Sequence, residues 1–169
     1  LPPDRAAALL PAAQAVVCCR WPLGDAGLVH AARLRAILDV SGAFPTDLDY
    51  AACARRGVRV LSAAPAFARQ VAEMTLAMVL AAGRGVAAGD AALRAGTEAW
   101  LHAGNVGTTL LYGKAVGIVG YGNLARAFRP LLVPFGCPVA AYDPWLAPGT
   151  LRAEGIEPLD LPDLLARSD

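Results

Sequence analysis

The residues of this chain whose types and spacing could do chemistry are Gly120, Gly122, Ala125 and Asp143. Gly120-Tyr121-Gly122-Asn123-Leu124-Ala125 fits G-x-G-x-x-G/A. Gly120 permits a tight turn, Gly122 lets the backbone approach a diphosphate with no Cβ in the way, and small Ala125 lets a helix sit close to a strand. Free N–H groups and the partial positive charge at the start of that helix would face the phosphates. Asp143 follows about 20 residues after Gly122, where a carboxylate accepts hydrogen bonds from both hydroxyls of an adenosine ribose and repels a 2′-phosphate. The pattern predicts a dinucleotide site for NAD rather than NADP. An ordinary βαβ unit would use the same glycines for packing alone.

The elements that must position these residues are legible around them. Ala115, Val116, Ile118 and Val119 form a short apolar run without helical spacing, which reads as a buried parallel strand ending at Gly120. Asn123 to Phe135 can form the helix leaving the turn, bent or cut short at Pro130. Val139 to Tyr142 is a second strand that runs into Asp143. Gly155 to Leu159 is a third strand, and Leu161 to Arg167 a helix capped by Asp160.

Before this segment, strands at Ala15–Cys19, Arg35–Val40 and Val58–Leu61 alternate with short helices at 4–10, 25–32 and 48–56. Asp47 is placed as the cap of the third helix and Gly57 as its stop. The alternation implies a parallel sheet in a small α/β domain of its own. Ala68 to Ala82 reads as one long helix, apolar on every side beyond Thr75 and therefore buried between layers. Ala87 to Ala95 is a further helix, and Gly96 to Thr109 reads as a loop or arm suited either to a second subunit or to its own domain.

Composition narrows the class. The chain is 56% hydrophobic and 17% charged, with a net charge of +1, which supplies a core and no electrostatic case for nucleic acid. No apolar stretch is long enough to span a bilayer and none reads as a signal peptide, so the expected compartment is the cytoplasm. Leu1 stands where an initiating Met would, so residues are expected before it. Cys18, Cys19, Cys53 and Cys137 lack zinc-ligand spacing and read as reduced, buried thiols; no metal is expected. His30 and His102 have no neighbours that would make either a catalytic base.

VSGAFPTDLDYAACARRGVRVLSAAP at 40–65, QVAEMTLAMVLAAGRG at 70–85, LYGKAVGIVGYGNLARAF at 111–128 and FGCPVAAYDPW at 135–145 together resemble the D-isomer-specific 2-hydroxyacid dehydrogenase family. The resemblance implies a flavodoxin-like substrate domain, an interdomain helix and the first half of a Rossmann domain, all α/β with parallel sheets. On that basis residues 1–82 are the substrate domain with its helix 68–82, 83–112 a connecting and dimerisation region, and 113–169 a partial NAD-binding domain. It places Asn123 and Leu124 on the cofactor pyrophosphate, Asp143 on the ribose, and Gly42, Ala43 and Phe44 in the loop whose amides receive a substrate carboxylate. It also implies a homodimer acting on a small 2-hydroxy or 2-keto acid.

Two departures accompany the resemblance. Phe44 replaces a family glycine, Pro45 removes a backbone donor, and Phe67 stands where the family often has Asn. The family's catalytic Arg, Glu and His belong beyond position 169, so no catalytic residue is assigned within the chain. The expected activity is NAD-dependent oxidation or reduction at the CH–OH group of a D-2-hydroxy acid by the intact protein. The alternative is a non-enzymatic NAD-sensing or dimerising protein of the same fold.

Overall fold

The computed structural model describes residues 2–21, 24–42, 44, 46 and 48–169. The chain divides into two compact units, Leu1–Phe67 and Ala68–Asp169, and each holds a three-stranded parallel sheet. The α/β class read from the alternating pattern is the architecture observed.

In the first unit α1 (Pro3–Leu9) and a 3-10 turn (Leu10–Ala12) precede β1 (Ala15–Cys18), α2 (Gly24–His30), β2 (Ala36–Asp39), α3 (Tyr50–Arg55) and β3 (Arg59–Ser62). The strands lie in the order β1-β2-β3, with Ala15 beside Ala36 and Ala36 beside Arg59. Leu10, Trp21, Leu28, Ile37, Cys53 and Val58 form the core. The Trp21 indole N–H donates to the Gly24 carbonyl at 2.7 Å, which satisfies its one polar atom and fixes the start of α2. The helix expected from Leu48 begins instead at Tyr50. Its cap is Asp49, whose carboxylate accepts the Ala52 N–H at 2.8 Å; Asp47 lies outside the described residues.

α4 (Ala64–Gly83) is longer than the sequence pattern suggests and is not buried on every side. Ala68 and Ala72 are buried, whereas Met74 and Met78 are 61% and 64% exposed. A helix can give only one stripe to one neighbouring layer. Here the stripe holding Ala72 and Leu76 meets Phe128 and Leu132, and the Met74–Met78 stripe is exposed. α5 (Val86–Ala95) follows, and the expected arm carries one short helix, α6 (Leu101–Gly104). The thiols also differ from expectation: none of the four is in a disulfide, yet only Cys53 is buried and Cys19 is exposed. Among the described residues no single helix is long and apolar enough to cross a membrane.

The sheet of the second unit is built from β4 (Val116–Val119), β5 (Val139–Tyr142) and β6 (Glu157–Pro158), in that order and parallel. α7 (Asn123–Leu132) joins β4 to β5; it does not stop at Pro130, because the chain continues for two helical residues and then tightens into a 3-10 turn, Val133–Phe135. Ala125, Phe128 and Leu132 recur at helical spacing and are its buried face. α8 (Pro148–Ala153) and α9 (Leu161–Arg167) complete the unit, and Asp160 caps α9 as expected by accepting the Asp163 N–H.

Gly117 sets how closely α9 packs on β4. A Cβ there would overlap Ser168 Oγ and lie 3.0 Å from Leu164 Cγ and 3.1 Å from Ser168 Cβ. The hydroxyl can rotate away only by giving up its hydrogen bond to the Leu164 carbonyl, and the two carbons must also give way. Gly117→Ala should therefore cost about 1–3 kcal/mol. Gly149, within α8 and with open space around it, should gain about 0.5–1 kcal/mol on replacement by Ala. Thermal melts of the two variants check the contrast; equal effects would contradict it.

Candidate nucleotide-binding site

The glycine turn is built by the ends of two strands. The Gly120 N–H donates to the Tyr142 carbonyl at 2.7 Å, so the chain leaves β4 level with the end of β5. Gly120 has φ +85°, in the left-handed region that side chains other than glycine disfavour. Gly122 differs in kind: with φ −88° its backbone suits any residue, and a Cβ there would meet nothing within 4 Å. Neither conformation nor packing within the described chain calls for glycine at 122. Its missing side chain leaves clear the space in front of α7.

That space is lined with donors. The first intrahelical bond runs from the Arg126 N–H to the Gly122 carbonyl at 3.0 Å, and no side chain caps α7. Among the described residues the N–H groups of Gly122, Asn123, Leu124 and Ala125 have no acceptor. Unsatisfied amides with the positive end of a helix behind them form an anion site.

Asp143 closes the site from β5. Its Oδ2 accepts the Tyr121 N–H at 2.8 Å, while Oδ1 accepts the N–H groups of Trp145 at 2.9 Å and Leu146 at 3.0 Å. Burial pushes this carboxyl upward, but the three backbone donors and the Arg126 charge outweigh it and hold the group below the usual carboxylate range. A carboxylate offers about four acceptor positions, so one remains, on Oδ2, where the sequence reading asked for two. The reason is Asp-Pro turn chemistry: the side chain accepts the amides two and three residues ahead. Pro144 was legible as a strand breaker, and the Asp-Pro pair was the signal for this turn.

Three residues around the turn carried no signal in the motif. Tyr121 is buried, with its ring in the cluster of Ala125, Ala141, Leu151 and Ile156. The Arg126 guanidinium lies 5.3 Å from that ring's centroid and pairs with Glu154 through contacts of 2.8–3.1 Å. Arg126 and Glu154 are 28 residues apart, a separation no local pattern reveals.

Gly120, Gly122, Asn123, Leu124 and Asp143 are thus gathered at one end of the second unit's sheet. The candidate substrate loop is in the first unit. There Asp39, buried at the end of β2, accepts the Ser41 N–H at 2.8 Å and also its hydroxyl, which ties the strand end to the residue before Gly42. Gly42 has φ +88° and Phe44 is 59% exposed; Ala43 and Pro45 lie outside the described residues. His30 ends α2 and His102 is on α6, both exposed. Among the described residues no three His, Cys, Asp or Glu side chains come together as a metal site.

Residues 76–169 match the family described as D-isomer specific 2-hydroxyacid dehydrogenase, NAD binding domain. The chain belongs to this family. It is 37% identical over 166 residues to the D-3-phosphoglycerate dehydrogenase of Mycobacterium bovis, covering 98% of this chain and 31% of that protein. It is 29% identical over 144 residues to the hydroxypyruvate reductase of Thermotoga maritima, covering 85% of this chain and 45% of that one. Among solved structures, a phosphoglycerate oxidoreductase from Rhizobium etli superposes with a TM-score of 0.73 at 35% identity, covering all of this chain and 51% of the other. The chain thus spans between about a third and half the length of these relatives. NAD is the cofactor of the matched family domain, and the open face at Gly122, the four unpartnered amides and the ionised Asp143 fit it.

A carboxyl depressed in the folded state contributes stability above its unfolded value, about 3.9, and loses that contribution as pH falls through the folded value. Asp143→Asn should therefore lower stability at neutral pH and flatten the acid limb of a urea-denaturation series. A curve parallel to that of the parent protein would contradict the assignment.

Proposed function

We propose that the chain supplies the NAD-binding turn and part of the substrate-binding unit of an NAD-dependent oxidoreductase acting on the CH–OH group of a D-2-hydroxy acid. The observation that carries this reading is Gly122, a glycine placed where the described chain has room for a side chain, in front of four amides without acceptors. Bound NAD would supply hydride acceptance or donation at its nicotinamide. Gly122, Asn123 and Leu124 would hold the diphosphate through their amides, and Asp143 would hold the adenosine ribose with its remaining lone pair while excluding a 2′-phosphate by charge.

Within the first unit, Gly42, Ala43 and Phe44 are the proposed substrate loop, held at its start by Asp39. The proposed domains are residues 1–82 for substrate, 83–112 for connection and dimerisation, and 113–169 for NAD. Exposed Trp100, Leu101, Val106 and Leu110 support an apolar contact with a second copy; the proposed compartment is the cytoplasm. Catalytic acid–base residues are proposed to lie outside this chain. The relatives' names point to 3-phosphoglycerate and hydroxypyruvate as first substrates to try. Phe44 and Pro45 in the substrate loop favour a second reading, a non-enzymatic NAD-sensing or dimerising protein; NADH turnover by the full-length protein with a panel of 2-hydroxy and 2-keto acids separates the two.

Two substitutions test the cofactor site in the full-length protein. Gly122→Val should leave the melting temperature within a few degrees and weaken NAD by at least about tenfold, because its side chain occupies diphosphate space. Asp143→Ala should weaken NAD and narrow its preference over NADP, read by calorimetric titration of both cofactors. Unchanged NAD affinity in Gly122→Val would remove the site from consideration.

A further inference from the structure

An arginine stands one helical turn along α7 from the glycine turn and is kept occupied. Arg126 is one helical turn from Gly122, to whose carbonyl its N–H donates. Its guanidinium lies over the ring of Tyr121, the residue whose own amide holds Asp143 Oδ2. The charge is close enough to help keep the Asp143 carboxyl low. A planar guanidinium in this position, if free, would suit a phosphate on the ribose, since its fork of donors matches phosphate oxygens.

It is not free. Nε donates to both Glu154 oxygens at 3.1 Å, and Nη2 donates to Oε1 at 2.8 Å. Glu154 caps the end of α8, and Gly155 with φ +72° turns the chain directly after it. A Cβ at 155 would lie 3.0 Å from an Arg129 nitrogen, so the turn is also where the second arginine of α7 passes. The pair is 36% and 35% exposed, a setting in which an ion pair adds little stability but still fixes where a charge points.

Resting on the reading that NAD occupies the Gly122 turn, we propose that Glu154 is a specificity-determining residue. By pairing with Arg126 it offsets that guanidinium's charge, so Asp143 is only partly compensated and discrimination against a 2′-phosphate depends on Glu154 as well as Asp143. Glu154 touches neither cofactor nor substrate in this account; it acts through Arg126.

The experiment is a titration of NAD and NADP into the full-length parent protein, Glu154→Gln, Glu154→Ala and Glu154→Gln/Arg126→Gln, with circular dichroism to establish folding. Gln keeps the shape and one acceptor, and Ala removes the acceptor as well, so the two variants guard each other. Loss of Glu154 should tighten NADP about tenfold while NAD changes less than about threefold, and the double variant should return NADP to the parent value. An unchanged NAD:NADP ratio in folded Glu154 variants that still bind NAD would overturn the inference, as would a gain that survives the loss of Arg126. NAD binding that is untouched in Gly122→Val would instead remove the underlying site, and this inference with it.

Discussion

One carboxylate holds the candidate site together. Asp143 reaches from the end of β5 to the amide of Tyr121 in the glycine turn, and with its other oxygen it closes the turn that follows β5. The turn after β4 and the turn after β5 are thereby tied to a single group. Parallel strands place both turns at the same end of the sheet, which is where open α/β sheets bind ligands. Without that tie, the turn would be held only by the Gly120 N–H on the Tyr142 carbonyl and by the buried Tyr121 ring. With it, the amides that follow are aimed before any ligand arrives.

The packing beneath the turn serves the same end. Tyr121 is anchored by its ring in the cluster of Ala125, Ala141, Leu151 and Ile156, so the residue whose amide binds Asp143 is held from both its backbone and its side chain. Gly117 lets α9 lie against β4, and Ala72 and Phe128 close the cluster beside α7. The donors at the start of α7 are thus backed by a helix whose buried face fixes its position. Rigid support of this kind lets a few backbone amides bind a diphosphate without charged side chains.

Much of this was legible in the sequence. Short apolar runs, helix-stopping glycines and the spacing of Asp143 locate the six strands seen among the described residues and the glycine turn, because those signals are local. Asp160 was read as a cap for the same reason. The cap of α3 was read two residues early, since Asp47 and Asp49 are equivalent candidates until the helix register is known. α7 passed through Pro130 because its anchors Phe128 and Leu132 hold both sides of the break. The exposed stripe of α4 and the Arg126–Glu154 pair were not legible: burial and long-range pairing depend on what folds against a residue, and composition does not carry that.

The most direct measurement is a crystal structure of the full-length protein with NAD. Diphosphate oxygens should lie within hydrogen-bonding distance of the amides of residues 122–125, with a ribose hydroxyl on Asp143 Oδ2 and the Tyr121 amide still bound to that oxygen. A ligand seated elsewhere, or a turn whose amides remain turned from the diphosphate, would contradict this placement.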